Sequence, residues 1–265
     1  MSVRGLFVHP IKSCAPISIG VAEVGLRGFR DDRRWMVVDG DGRFLTQREV
    51  PALGEVRVGI DGERLVLDDD LAVPRRLVEG VRVPVTVWSH AGHALEHVPA
   101  AAWCSRRLGR TARLVYMPDD EVRPVNPARG RPGDQVSFAD AYPVLLTAET
   151  SRLDLERRAG TTLAMARFRP NVVVSSGAPC EEDTWARLRL GAVSFRNVKP
   201  CDRCVVTTID PVDRTHGKEP LRTLATFRER DGSVYFGVNL IPDQEGVVRV
   251  GDAVVVDATQ PPFVA

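Results

Sequence analysis

The first ~90 residues are cut into runs too short for a helix to use. GLFVHPI, VAEVGLR, RWMVVD, RFLTQRE, EVRVGI and RLVLDD follow one another. Each is rich in alternating or β-branched residues, and glycine, aspartate or proline closes most of them. That punctuation leaves room for strands of a few residues and for little else. Gly40-Asp41-Gly42 and Asp61-Gly62 predict hairpin turns. The stretch DGDG also resembles the start of a calcium loop, but the further spaced oxygens and the bidentate glutamate at the twelfth position are missing.

Beyond the strands, PAAAWCSRRL (99–108) predicts a short helix, with Pro99 at its first position and Gly109 behind it. RLVYMP predicts a strand. The stretch 118–133, rich in proline, arginine and glycine, predicts the boundary between two parts, 1–118 and 119–265. In the second part, VSFADAYPVLLTAETSRLDLERRAG predicts a strand, a turn and a helix over about 152–158. Ser151 and Asp154 stand in capping-box spacing and Gly160 supplies the stop. RFRPNVVVSS predicts a loop entering a buried strand. ARLRLGAVSFRNVKP and CVVTTIDP predict paired strands, and EPLRTLATFRER a short helix opened by Pro220. SVYFGVNLI and VVRVGDAVVVDA predict the closing strands. Strands outnumber helices, so the fold class is β-rich α+β, barrel-like, with a few short helices.

Charge narrows the function. Lys+Arg is 36 and Asp+Glu is 35, so no basic nucleic-acid footprint is present. No segment has the continuous apolar length of a membrane span, and MSVRGLFVHPIKSC does not read as a secretory signal. Five cysteines at irregular spacing do not form a disulfide framework, and a reduced cytoplasm is the expected compartment. Only three basic residues are lysines: Lys12, Lys199 and Lys218. A coding bias toward arginine accounts for that blandly. The sharper hypothesis is that at least one of them needs a compact point charge where a planar fork would serve badly.

The chemistry gathers at KPCDRCVVTTIDP. Cys201 and Cys204 have the spacing of half a zinc site, but no second cysteine pair exists. His90, His93 and His97 would have to complete it from a strand and a turn. A thioredoxin-like pair belongs at a strand-to-helix junction in a βαβ context, which is missing, although Arg203 beside it would favour a reactive thiolate. Two packed core cysteines fit poorly in an Asp-Arg turn. The remaining reading makes one cysteine a ligand to a cofactor that cations hold elsewhere. Candidates for that grip are Lys12 with Ser13, Arg33, Thr46 with Arg48, Thr147 and Ser151 at a helix start, Arg169 with Asn171, and Arg203. Spacing alone does not show that they meet.

The ordered set HPIKSC, GFRDDRRWMVVD, LTQRE, FADAYPVLL, RFRPNVVV, KPCDRCVVTTIDP, KEPLRTL and VGDAV resembles the MOSC molybdenum-cofactor proteins over nearly the whole chain. By motif the chain is similar to the mitochondrial amidoxime-reducing components and their bacterial homologues. The resemblance implies an N-terminal MOSC-associated β-barrel-like domain (1–118) packed with a MOSC domain (119–265). It implies a molybdopterin cofactor whose molybdenum is ligated by Cys204, the catalytic centre. Lys12 and Ser13 are expected at the pterin phosphate, with Arg33, Arg169 and Arg203 also on the cofactor. Thr46, Arg48, Thr147, Ser151 and Asn171 transfer more weakly, and Cys201 receives no role.

The implied activity is reduction of N-oxygenated compounds: N-hydroxyl compounds, amidoximes, hydroxamic acids or N-oxides. The expected partners are such a small molecule and a separate electron donor, a ferredoxin or a flavoprotein reductase, with no nucleic acid and no membrane. No iron–sulfur cluster is expected in this chain, whose C-terminal stretch holds no cysteines. The alternatives are persulfide-type sulfur transfer, or a molybdenum-cofactor carrier. Asp210, in TTIDP, reads as a turn former before proline more readily than as a proton relay. The stretches 118–133 and 235–240 are expected at the pocket mouth.

Overall fold

The computed structural model describes residues 1–263. A nine-stranded sheet dominates. Along its path lie Val254–Thr259, Trp185–Leu190, Val193–Asp202, Ser233–Pro242, Val144–Ala148, Val172–Val174, Val3–Val8 and Ile17–Ile19, with Glu229–Arg230 added beside Ser233–Pro242. Only the Val144–Ala148 and Val172–Val174 pair is parallel; the other described ladders of this sheet are antiparallel. Val172, Val173 and Val174 are all buried at its centre, which explains their unbroken β-branched run. The sheet path is open rather than a closed ring among the described residues.

A four-stranded sheet runs Trp35–Val38, Arg113–Tyr116, His90–Glu96, Val81–Val87, and a three-stranded one runs Val58–Asp61, Arg64–Leu67, Leu71–Pro74. Pro84 lies in Val81–Val87, an edge strand, where a missing N–H costs least. The architecture is thus strand-rich with few short helices, as expected. The hairpin turn at 40–42 also forms: Gly42 takes φ +80°, and a Cβ there would meet Pro84 O at 2.4 Å.

The division of the core does not follow chain order. Val3, Leu6, Ala22, Val24 and Phe29 bury themselves with Val144, Val172, Val238 and Phe195 from the second half. Only from Ile11 onward does the first half build its own core, around Trp35, Leu53, Leu65 and Leu114. The chain therefore crosses between the two cores around residues 9–14, returns before Ala22, and crosses again around 29–35. Those crossings carry Lys12, Ser13 and Arg33.

Three local expectations need correction. The helix Glu149–Ala159 starts three residues earlier than the capping box implied, after Ala148, and no side chain caps that residue. Ser151 lies inside the first turn and donates to Glu182 Oε2 at 2.8 Å, while Asp154 pairs with Arg157 and Arg158. Glu182, a carboxylate from another segment, thus takes the Ser151 hydroxyl and the Ala148 N–H beside the helix start without capping it. The VVTT of CVVTTIDP is not a strand but a 3-10 turn, Val205–Thr208. Thr207 and Thr208 hydroxyls bond back to the Cys204 and Val205 carbonyls, which favours the turn over a ladder. The stretch 118–133 packs away from the cavity described next, its buried Arg123 donating to Ser137 O at 2.7 Å.

Candidate cofactor site

A cavity of about 470 Å³ opens between the two cores. Its floor and walls come from the crossings, from Thr46–Arg48 and Trp88 of the first half, and from loops of the second half. Nine of the residues singled out by sequence line it: Lys12, Ser13, Arg33, Thr46, Arg48, Arg169, Asn171, Arg203 and Cys204. Thr147 and Ser151 do not. Thr147 is buried and donates to Met165 Sδ, and Ser151 belongs to the Glu182 cluster. Of the stretch 235–240, only Asn239 reaches the cavity.

Backbone shape places several of these side chains. Ser13, Arg33 and Arg169 have φ of +71°, +48° and +53°. Non-glycine residues in that region cost about 1 kcal/mol or more each and persist where the surroundings overdetermine them. Here the surroundings are hydrogen bonds across the crossing. Arg33 N donates to His9 O at 2.7 Å, and Phe138 N donates to Arg33 O at 2.9 Å. Asn171 Nδ2 donates to Phe7 O at 3.2 Å and to Asp32 at 3.0 Å, while its Oδ1 accepts from Leu145 N and Arg33 Nη1. Asn171 is therefore a strut holding the wall.

Lys12 is buried, and its ammonium donates to Phe138 O at 2.9 Å and to Asp140. Burial pushes its pKa down and the nearby Arg123 and Arg33 add to that, while Asp140 opposes them. Asp140 lies deep among protein atoms, yet 66% of its side chain is open to solvent in the cavity. Burial alone would raise its pKa, but Lys12 and Arg33 overcome this and hold the carboxyl well below the usual range. Arg169 donates to Cys14 O at 2.9 Å; burial and then Arg33 push its pKa down to about 10.

At the other wall the strand Val193–Asp202 delivers the cysteines. Its register shifts between Asn197 and Lys199 and again between Pro200 and Asp202. Such irregularities re-aim side chains, and Pro200 forces one of them by lacking an N–H. Cys204 follows, half-buried, and Arg48 Nη2 lies 3.4 Å from its Sγ. Arg203 Nη1 lies 2.9 Å from Cys201 Sγ, and its Nη2 donates to Phe168 O at 2.5 Å. Cys201 and Cys204 thus have separate arginine partners and are not bonded to each other.

Seven cationic side chains line the cavity, the five above with Arg167 and Lys199, against two carboxylates, Asp140 and Asp202. Arg167 and Arg203 each keep a buried Nε without a partner among the described residues. Asp210 is occupied: Oδ1 accepts from Val212 N at 2.8 Å and Oδ2 pairs with Arg167. No cluster of three or more potential metal ligands exists among the described residues, so the histidines assemble no zinc site. Sequence reading missed Trp88 and Asp140 at this cavity. FADAYP was visible as a stretch, but nothing in its spacing points Asp140 at Lys12.

The molecule is a β protein with two main cores, and thiols and cations meet in the seam between them. The MOSC N-terminal beta barrel domain profile matches residues 1–111, and the MOSC domain profile matches residues 133–255. Mitochondrial amidoxime-reducing component 1 of Homo sapiens is 32% identical over 96% of this chain and 82% of its own length. The Danio rerio component 1 is 34% identical over 95% and 83%. The Bos taurus component 2 is 34% identical over 96% and 82%. The chain belongs to the MOSC family. A solved structure, the YUAD protein of Bacillus subtilis, is similar over 95% of this chain at 11% identity and a TM-score of 0.46, too loose a likeness to carry weight.

Proposed function

We propose that the protein is a molybdenum-cofactor reductase of N-oxygenated compounds that takes its electrons from a separate donor protein. The observation that carries this reading is the convergence of a half-buried thiol and seven cations on one cavity between the cores. The donor set fits the group. A soft thiolate suits a redox metal, and lysine and arginine suit a phosphate. The unpartnered Nε groups of Arg167 and Arg203 are what a site completed by an anion would leave.

In this reading Cys204 holds the metal. Lys12, Ser13, Arg33 and Arg169 hold the phosphate end, Arg48 and Arg203 flank the thiolate, and Thr46 and Asn171 fix the walls. When bound, the cofactor supplies two-electron oxygen-atom chemistry. For an amidoxime the balance is simple: one N–O bond breaks, two electrons and two protons are consumed, and an amidine and water form. The chain's own residues bind, orient and offset negative charge. Asp140, ionised and open to the cavity, is the carboxylate placed to hold a proton-bearing group of the substrate.

The test is molybdenum, zinc and iron analysis of the protein made in a molybdopterin-competent host, as wild type and as Cys204→Ser. Near-stoichiometric molybdenum that disappears in the variant, with reduction of an amidoxime by a reduced viologen dye, is the expected result. Zinc, or no metal from a competent host, would sink the reading. The Arg203–Cys201 contact at 2.9 Å favours one second reading, a persulfide carried on Cys201. Mass spectrometry after incubation with a persulfide donor would show an added sulfur there.

A further inference from the structure

Trp88 is out of place for a structural tryptophan. The chain has four, and Trp35, Trp103 and Trp185 are 1%, 9% and 1% exposed, whereas Trp88 is 42% exposed at the cavity. It follows directly on the strand Val81–Val87 and takes φ +55°, an unusual conformation for a bulky residue. Its surroundings hold the ring in place. Phe44 packs at 5.0 Å between ring centroids, and its Nε1 donates to Asp140 Oδ1 at 3.3 Å. Asp140 Oδ1 also takes the Lys12 ammonium, so Oδ2 has no partner among the described residues.

The ring's remaining neighbour shows what it accepts. The Arg48 guanidinium lies 4.9 Å from the indole centroid, and the same side chain puts Nη2 3.4 Å from Cys204 Sγ. Indole and thiol therefore stand at the two ends of one flat, delocalised N–C–N cation. Stacking on an indole, an ionised carboxylate with a free oxygen alongside, and a reach to the thiol are together what a planar amidine-like group needs.

We propose that Trp88, with the free oxygen of Asp140, is the specificity-determining face for substrates whose N–C–N head is conjugated to an aromatic ring. The ring displaces the Arg48 guanidinium from the indole, and the amino group donates to Asp140. This rests on the reductase reading above. It ranks aryl amidoximes over alkyl amidoximes, which lack the ring, and over N-oxides, which lack the amino donor.

The experiment begins with the cofactor-free protein and benzamidine, which cannot be reduced at an N–O bond. Because the other three indoles are buried, Trp88 dominates the red edge of the fluorescence, and benzamidine quenches it saturably. Calorimetry then compares benzamidine with acetamidine (charged, no ring) and benzamide (a flat ring, no charge), both of which bind more weakly. Trp88→Leu loses benzamidine binding and Trp88→Phe keeps most of it. In loaded enzyme, Trp88→Leu lowers the ratio of kcat/KM for benzamidoxime over acetamidoxime roughly five- to tenfold, and Trp88→Phe restores it.

Benzamidine binding that ignores the residue at 88, or acetamidine binding as tightly as benzamidine, overturns the proposal. If the loaded enzyme still reduces benzamidoxime in that case, the reductase reading stands without the platform. If binding depends on Trp88 but no N-oxygenated compound is turned over, the reductase reading falls and the platform stands as a ligand site.

Discussion

Arginine does opposite work in two regions of this molecule. Around Arg196 the guanidinium meets Asp134 at 2.9 Å and Asp243 at 2.5 Å, all three side chains nearly buried. There every charge has its counter-charge. In the cavity, Arg169 donates to a carbonyl, Arg203 to a carbonyl and a thiol, and Arg48 lies against a thiol. None of these three has a carboxylate in contact among the described residues. The first region is finished by folding. In the second these three cations receive no counter-charge from the chain, and burial and then a like charge depress one of them, as Arg33 does to Arg169.

The largest effect should come from removing one arginine from each region. Arg196→Leu takes the one cation from nearly buried Asp134 and leaves Asp243 to the exposed Arg187 and Arg131, and should cost about 3 kcal/mol in urea unfolding. Arg169→Gln keeps a donor for Cys14 O but removes a poorly compensated charge. The cofactor-free variant should stay within about 1 kcal/mol of wild type. Pyrophosphate should raise the melting temperature of wild type and not of Arg169→Gln. Equal losses of stability from both substitutions would mean the two regions are not different in kind.

Lys12 sharpens the point further. Its ammonium fits between Phe138 O and Asp140, with the Phe44 ring 5.4 Å away. A planar fork has no such fit, so Lys12→Arg should lose about tenfold in pyrophosphate affinity despite keeping the charge. Calorimetry reads this directly, and an unchanged affinity would remove any special role for a lysine.

The last effect is confined to a pH window and comes from a third kind of site, an acid without a cation. Glu182 is buried with its own backbone N–H, Ser151 Oγ and Ala148 N donating to its carboxylate and no cation beside it, Arg228 being taken by Asp183. Burial pushes its pKa from 4.5 up to about 7 against those three donors. Between those values the folded protein holds a proton that the unfolded chain has released. This group therefore makes stability fall as pH rises through the window and level off above it. Glu182→Gln should flatten that slope in melts taken from pH 4.5 to 7.5; an unchanged slope would assign it to other groups.

What sequence revealed, and what it hid, follows from the range of each interaction. The helix Ala101–Leu108 and its αL stop at Gly109 are local, and proline and glycine marked them. The strands of the nine-stranded sheet were legible as β-branched runs. Cys204 and the cavity cations were legible only as scattered stretches, and resemblance grouped them. The failures share one cause. Ser151 looked like a cap because S-x-x-D fits, but its hydroxyl is spent on Glu182, thirty-one residues away. VVTT looked like a strand because its residues favour one, but two threonine hydroxyls bonded back to the chain. Trp88 and Asp140 carried no signal, since each acts through a partner from a distant part of the chain.

The left-handed residues at 13, 33 and 169 have a consequence for how the protein would fail on heating. They sit in a conformation their own side chains resist; Arg33 is held there by bonds to His9 O and from Phe138 N, and Arg169 by its side-chain bond to Cys14 O across the seam. Any loosening of one core against the other relaxes these positions before either core melts. The grip on the ligand would therefore slip first, while strands and helices were still intact. For this molecule the temperature at which activity is lost should lie below the temperature at which the fold is lost, and the gap between them measures how tightly the two cores are held together.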